Sequence, residues 1–308
     1  MLTLPQETEA DLALDGISIV IPAYNEEHGI DGVLTQLAGV MAESGWPYEI
    51  IIVDDGSQDG TAEQVHKHQD VILISHRTNR GYGAALKTGT RHARYDVVCI
   101  TDADGTYPNE QIPDLLAHMV DGNHDMVVGS RTGQHVAIPL VRRPAKWVVG
   151  KLANFVAGEP IPDINSGLRL FRRSIALSFW NILPDGFSFT TTITLVMLTN
   201  NYLVDYVPIS YHARIGKAKI KPIRETLQFY SYEMRSVLYF VFLKSALPLS
   251  GLLLLLGIGW GLFSTFVLGQ LADVSTLVIL MTAIQVAVAG LLADLIDRRV
   301  QNPYRNSR

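Results

Sequence analysis

An α/β domain followed by interfacial helices and a two-helix transmembrane hairpin is the fold class that this 308-residue chain predicts. Three observations point to it. From Ile17 onward, short β-branched runs alternate with helical patterns, the rhythm of a layered sheet with crossover helices. Further on, Leu247–Gly269 is a 23-residue run without a charge, and Val274–Ile296 is another with only Asp294 near its end. Each exceeds the roughly 20 residues a helix needs to span a bilayer. The charge also divides. Residues 1–209 hold 14 Lys/Arg against 25 Asp/Glu, whereas residues 210–308 hold 11 against 5, a split hidden by the overall net charge of −5. Hydrophobic residues at 48% and charged residues at 18% exclude a disordered chain and a strongly basic nucleic-acid binder. The lone cysteine, Cys99, excludes an internal disulfide framework and a Cys-based zinc site.

Taken in order, Ile17–Ile21, Ile50–Val53, Val71–Ile74, Val97–Ile100 and Met126–Val128 read as buried parallel strands, because continuous apolar runs of this length suit strands covered on both faces. Between them Ile30–Met41, Ala62–His68, Ala84–Ala93 and Ile112–Val120 carry helical spacing. Cys99 lies inside a strand and reads as a packed core residue. Pro222–Ser245 alternates charge with Leu, Phe, Tyr and Val, an interfacial helix leading into the first span. The linker Gln270–Asp273 has no Lys or Arg, while Lys244 precedes the first span and Arg298, Arg299, Arg305 and Arg308 follow the second. That bias places both termini and the α/β domain in the cytoplasm, at the cell (inner) membrane. Gly257 and Gly261 form a Gly-x-x-x-Gly in the first span, a pattern that can mark helix association and so a homo-oligomer. The first fifteen residues are acidic and lack the apolar run of an export signal.

Ligands of open α/β sheets bind beyond the carboxyl ends of the strands, and those ends are polar here. The first strand leads into Pro22-Ala23-Tyr24-Asn25-Glu26-Glu27, the second into Asp54-Asp55-Gly56-Ser57-Gln58-Asp59-Gly60-Thr61, the fourth into Asp102-Ala103-Asp104-Gly105-Thr106-Tyr107-Pro108. Left bare, three acidic clusters at one edge would repel by several kcal/mol. Carboxylate ligation without Cys or clustered His suits Mg2+ or Mn2+, ions that also bridge diphosphates. Ser57 and Thr61 serve equally well as turn and cap residues. Neither Gly-x-Gly-x-x-Gly after the first strand nor Gly-x-x-x-x-Gly-Lys-Ser/Thr occurs, which removes the main support for a dinucleotide dehydrogenase or a P-loop nucleotidase.

In the order IVIPAYNEE, VDDGSQDGT, NRGYGAALKTG, DADGTYP and VVGSR, the chain resembles family 2 glycosyltransferases of the GT-A fold, a Rossmann-like mixed sheet. It is most similar to the branch of dolichyl-phosphate mannose synthase and bacterial polyprenyl-phosphate glycosyltransferases. The likeness covers about residues 17–246. It implies a tail over 1–16, a catalytic domain over 17–220, an interfacial helix over 221–246, spans over 247–269 and 274–296, and a cytoplasmic tail over 297–308. It implies inverting transfer of a hexose from a nucleotide sugar to a polyprenyl phosphate, with GDP-mannose, UDP-glucose and UDP-N-acetylglucosamine all open as donors. By the same likeness, Pro22, Tyr24 and Glu26 line the base and ribose, Asp54 and Asp55 sit at the ribose or base edge, and Gly81, Tyr82 and Gly83 make a flexible turn. Lys87 either reaches the nucleotide or is solvated. Asp102 sits by the ribose and metal, and Asp104 binds the metal. Relatives often carry Gln where Thr106 stands, which leaves the third metal ligand open. Asp163, in Pro162-Asp163-Ile164-Asn165-Ser166-Gly167, is a candidate base or orienting residue, or a plain turn aspartate.

An anionic acceptor needs cations. Arg131, Arg142, Arg143, Lys146 and Lys151 fall in a stretch without Asp or Glu, with apolar residues including Trp147 between them and Phe155 just beyond. That is an interfacial pattern able to hold a lipid phosphate or anionic headgroups. Arg214 and Lys219 form a second cluster that matches the family, though Ala218 stands where relatives have Ser. Arg169 could face the site or a polar surface. A processive polysaccharide synthase would carry Gln-x-x-Arg-Trp and more spans, neither of which is present. A membrane-tethered nucleotide-sugar binder without turnover is the other alternative, and the intact Asp102 and Asp104 stand against it.

Overall fold

The computed structural model describes residues 15–132, 143–212, 224–267, 269 and 274–301. The chain forms two compact units: Met1–Val136 with Ser166–Ala176 and Tyr202–Ala218, and Ala137–Asn165 with Leu177–Asn201 and Lys219–Arg308.

The first unit is a seven-stranded sheet of β1 (Ile17–Ala23), β2 (Tyr48–Asp54), β3 (Val71–Ser75), β4 (Val97–Ile100), β5 (Met126–Ser130), β6 (Arg169–Arg172) and β7 (Val204–Pro208). Its order is β3-β2-β1-β4-β6-β5-β7. β1 pairs in parallel with β2 and β4, and Ile17 through Ile21 are all buried, as expected of a central strand covered on both faces. Helix α1 (Ile30–Ser44) buries Ile30, Val33, Leu34, Leu37 and Met41, a single stripe at helical spacing. It ends at Gly45 in the left-handed conformation that a helix C-terminus favours. Helices α2 (Thr61–Val65), α3 (Tyr82–His92) and α4 (Ile112–Asp121) follow, and α4 buries Ile112, Leu115, Leu116 and Met119. The core is the apolar cluster between β1, β2, β4 and these helices, with Cys99 inside it. Burial raises the Cys99 thiol well above its ordinary range, so it is an inert packing residue.

Two features of this sheet position the site. The chain winds outward from β1 to β3 and returns to β4 on the other side of β1, so the loops after β1 and β4 diverge and open a crevice at the topological switch point. β6 is antiparallel to both neighbours, with Arg169 opposite Ile100 of β4 and Val128 of β5. The residues that precede β6 therefore arrive at the carboxyl ends of β4 and β5. Neither β6 nor β7 is signalled by a long apolar run, and Arg169 is wholly buried in the sheet with Nε and Nη2 donating to the Ser166 carbonyl.

The second unit is helical and contains α5 (Arg143–Ala157), α7 (Phe189–Thr199), α8 (Arg224–Phe266) and α9 (Val274–Gln301). The short α6 (Arg173–Ser178) crosses from one unit into the other. α5 buries Val149, Ala153 and Val156 and leaves Trp147, Val148 and Phe155 exposed. Lys244 Nζ donates to the carbonyls of Phe155 and Val156 at the end of α5, a favourable place for a cation. α8 is one continuous helix through Pro248. The interfacial segment and the first apolar run, read separately in the sequence, are joined, because a proline removes one backbone bond without requiring the helix to stop. Lys244–Phe266 and Val274–Ala293 are long and apolar enough to cross a membrane, with mean hydropathies of 1.9 and 2.3. Leu255, Phe266 and Val274 stand largely exposed along them, a surface a soluble monomer rarely presents.

Within this hairpin three glycines face the opposite helix. A side chain on Gly257 would meet Ile279 and Leu280, one on Gly261 would meet Thr276, and one on Gly290 would meet the Ala246 Cβ. The Gly-x-x-x-Gly read as a mark of association is thus occupied by α9 of the same chain.

Candidate active site

Three loops at the carboxyl edge of the sheet are tied together by short polar side chains. Asn25, in the left-handed region at φ 51°, donates its backbone N–H to Ser57 Oγ and accepts from Gln58 N–H through Oδ1. Glu26 N–H donates to Thr61 Oγ1, and Thr61 Oγ1 donates to Asp59. Ser57 and Thr61 therefore hold the β1 loop to the β2 loop, a cross-loop role and not that of a helix cap. Pro22 pairs with Val53 and Ala23 closes the β1 pairing opposite Asp54, with Tyr24 exposed just beyond it. Tyr24 and Glu26 therefore lie beside the crevice mouth.

Asp54 and Asp55 are both buried and do different things. Asp54 Oδ1 accepts from Ser57 N–H. Asp55 accepts from the N–H groups of Arg80 and Gly81 and pairs with His76 Nδ1 at 2.7 Å, while His76 Nε2 bonds Thr88 Oγ1. Asp55 thus fastens the loop that enters α3. Gly81 sits at φ 105°, a conformation closed to most side chains. Tyr82 and Gly83 are not a flexible turn but the first residues of α3, held by that anchored loop. Lys87 is half-buried on the same helix.

The centre of the site is Asp102 at the end of β4. Tyr82 O–H donates to Asp102 Oδ1 at 3.2 Å. Burial, and then the Asp102 charge, hold the Tyr82 phenol well above its usual range, and the same two causes raise Tyr107. Both phenols are therefore neutral. Gly167 N–H donates to Tyr107 Oη at 2.6 Å. A Cβ on Gly167 would stand 3.1 Å from both Asp102 carboxylate oxygens and from the Tyr107 ring. Asp104 Oδ1 accepts from Thr106 N–H and, at 2.6 Å, from Thr106 Oγ1. Thr106 thus holds the Asp104 carboxylate through two hydrogen bonds. Arg131, just past β5, lies over the Tyr211 ring at 5.5 Å, and Tyr211 packs edge-on against Tyr107. Its charge lowers the Tyr107 pKa in opposition to burial, so Arg131 is electrostatically part of this corner.

In the second unit, Asp163 is buried and accepts from Asn165 N–H, while Asn165 Oδ1 accepts from Thr191 Oγ1. Arg143 and Lys146 lie in the first turn of α5, and their side chains are outside the described residues, as are Arg142, Arg214 and Lys219. Asp102 and Asp104 stand out in the sequence as strand-end carboxylates, whereas the closeness of Tyr82 and Gly167 to Asp102, and of Tyr107 to Gly167, does not. Tyr82 in NRGYG, Tyr107 in DADGTYP and the glycine of the NSG element are their only signals.

Residues 18–179 match the family described as Glycosyl transferase family 2. The dolichyl-phosphate hexose transferase of Haloferax volcanii is 30% identical over 213 residues, covering 69% of this chain and 90% of that protein. The dodecaprenyl-phosphate galacturonate synthase of Rhizobium johnstonii is 24% identical over 304 residues, 92% of this chain and 88% of the relative. Among solved structures, glucosyl-3-phosphoglycerate synthase from Mycobacterium tuberculosis, in complex with Mn2+, uridine diphosphate and phosphoglyceric acid, superposes with a TM-score of 0.60. It is 20% identical and covers 73% of this chain and 78% of its own. The mixed α/β sheet is of the GT-A type. The chain belongs to glycosyl transferase family 2 and is a glycosyltransferase.

Proposed function

We infer that the protein transfers a hexose from a nucleotide sugar to a polyprenyl phosphate, with inversion at the anomeric carbon, at the cytoplasmic face of the cell membrane. One observation carries this reading: Asp102 and Asp104 sit at the switch point of a GT-A sheet in a chain that also has two helices long enough to span a bilayer. Relatives named for dolichyl-phosphate and dodecaprenyl-phosphate acceptors support the lipid substrate. The synthase whose crystals hold Mn2+ and uridine diphosphate supports the donor class.

Asp102 and Asp104 are the oxygen donors that would hold Mg2+ or Mn2+. The fit rests on their chemistry: two carboxylates two residues apart, hydrogen-bonded by Tyr82 and Thr106, suit a hard ion that keeps water and phosphate oxygens in its remaining positions. When bound, such an ion neutralises charge on the departing diphosphate. The chain's own groups do the positioning. Thr106 fixes the Asp104 carboxylate, Tyr82 fixes Asp102, and Asp55 anchors the loop that opens α3 beside the nucleotide. Pro22, Tyr24, Glu26, Asp54 and Lys87 are the candidate base, ribose and phosphate contacts.

The acceptor phosphate is already anionic at neutral pH, so activation by a strong base matters less than charge complementarity. Arg131, Arg142, Arg143, Lys146, Arg214 and Lys219 supply that charge, and Asp163 orients or deprotonates the acceptor. The exposed Trp147 and Phe155 of α5 sit in the bilayer interface.

The test is transfer itself. Detergent-solubilised protein, a polyprenyl phosphate and Mg2+ or Mn2+ are incubated in turn with radiolabelled GDP-mannose, UDP-glucose and UDP-N-acetylglucosamine. One donor should give a lipid-linked sugar, and Asp104→Asn should lower that rate by on the order of a hundredfold or more with the circular dichroism spectrum unchanged. Absence of lipid-linked product from every donor would defeat the reading.

A further inference from the structure

We propose that His118, His124 and Asp205 form a second cation site, selective for Zn2+ or a similar borderline divalent ion, at the opposite end of the sheet from Asp102 and Asp104. His118 Nε2 lies 2.7 Å from Asp205 Oδ2, and His124 Nε2 lies 3.5 Å from the same oxygen. The imidazoles stack at 5.2 Å with 26° between their planes, and one ligand atom from each of the three side chains falls within 4.8 Å of the other two. Among the described residues this is the one group of three His, Cys, Asp or Glu side chains so arranged.

Local structure builds the site. His118 lies in the last turn of α4, and the chain then reverses through Gly122 and Asn123, the latter left-handed at φ 47°. His124 N–H returns to the Met119 carbonyl. A Cβ on Gly122 would lie 2.1 Å from His124 Nε2, so a glycine is required for the ring to fold back beside His118. Asp205 comes from β7, whose first residue, Val204, pairs with Met126. β5 and β7 run parallel to β1 and β4, so their beginnings lie at the edge away from the switch point. The backbone N–H of Tyr206 donates to Asp205 Oδ1 at 2.7 Å, leaving Oδ2 toward both imidazoles. A ligating carboxylate held by such an outer hydrogen bond is the usual supporting arrangement.

The donor set decides the ion. Two imidazoles with one carboxylate match three-ligand Zn2+ sites with a solvent position, whereas Mg2+ prefers oxygens throughout. Bonds of about 2.0–2.1 Å set tetrahedral donors about 3.3 Å apart. The 3.5 Å pair already has that separation, and the 2.7 Å pair needs to open by about half an ångström. His118 and Asp205 are about half exposed, so an ion has a path in. A bound ion would cross-link the end of α4, the following turn and the edge strand β7.

The test uses the full chain in detergent, with saturating Mg2+ present so that the carboxylates of the switch point are occupied. Zn2+ is titrated in competition with a chelating dye. One equivalent should bind to the wild type and equally to Asp104→Asn, with affinity reduced about tenfold or more in His124→Gln and Asp205→Asn. Zn2+ should also raise the melting temperature of the wild type and not of those two variants. As a measurement free of substitutions, Zn2+ should protect His118 and His124 together from diethyl pyrocarbonate, read by mass spectrometry. Zn2+ binding lost in Asp104→Asn but kept in His124→Gln, or no protection of the two histidines, would overturn the proposal.

Discussion

At the residue scale, what distinguishes Asp102 from the other strand-end carboxylates is how closely it is enclosed. Asp54 accepts from Ser57 N–H within its own loop and Asp55 holds His76 and the N–H groups of Arg80 and Gly81 in the loop before α3, whereas Asp102 meets a phenol and the close approach of Gly167. Gly167 is therefore the position where the smallest change should matter most. In Gly167→Ala the added methyl would contact both Asp102 oxygens and the Tyr107 ring at 3.1 Å, tighter than such atoms tolerate without moving. The Tyr107 ring is buried and bonded through its hydroxyl to Gly167 itself, so the carboxylate has to give. A shift of a few tenths of an ångström in a reacting constellation costs on the order of tenfold or more in rate. Overpacking of this kind costs about 1–3 kcal/mol of stability. The expected result is a transfer rate at saturating substrate lowered at least about tenfold, with an unchanged circular dichroism spectrum and a modestly lowered melting temperature. A rate equal to wild type would show that Asp102 has slack there, and that its enclosure does no positioning.

At the element scale, the hairpin of α8 and α9 is packed through glycines that the sequence presents as an oligomerisation pattern. Without a hydrophobic difference between lipid and side chain, helices in a bilayer hold together by close approach of small residues. Gly290 is the tightest such contact to an immovable group, because the Ala246 Cβ it faces at 2.6 Å is fixed to its own backbone. Gly290→Leu should therefore force the helices apart and lower the melting temperature in detergent by several degrees. Gly259→Leu, whose added Cβ meets nothing within 4 Å, should leave it within about a degree. Equal effects of the two would mean that the helices do not pack on this face. Legibility in the sequence follows the same physical lines. β1, β2 and β4 could be read because central parallel strands are unbroken apolar runs, and the place of Asp102 and Asp104 at the carboxyl edge because they directly follow one such run. β6 could not, since Arg-Leu-Phe-Arg is short and its first arginine is buried by a bond to the Ser166 carbonyl. Nor could α7, a helix of Phe-Thr-Thr-Thr-Ile-Thr buried on every side, whose β-branched run carries no helical stripe. The same antiparallel β6 brings Gly167 to Asp102, so that part of the site was hidden until the strand order was known. His118, His124 and Asp205 were hidden because a turn and an edge strand far along the chain unite them.

At the scale of the whole molecule, the charge division acquires a direction once the two apolar helices are read as membrane spans. All eleven Lys and Arg of residues 210–308 lie before the first span or after the second, and none lies in Gln270–Asp273. Cations close to a span resist translocation far more than anions do, and this is what supports the proposed insertion, with both flanks on the cytoplasmic side and the linker on the other. That orientation is also what the proposed chemistry requires, because nucleotide sugars are cytoplasmic and the carboxylate-lined switch point precedes the first span in the chain. Single cysteines can test it, since the native Cys99 is fully buried and Cys99→Ala removes any residual background. Gln270→Cys in intact cells should react with a membrane-impermeant maleimide added outside, whereas Asn302→Cys should react only after permeabilisation. Labelling of Asn302→Cys in sealed cells, with Gln270→Cys protected, would invert the topology. It would leave the catalytic domain on the side without donor and thereby remove the transferase reading at this membrane face. Labelling of both in sealed cells would instead show that the two apolar helices do not form a hairpin with both ends inside.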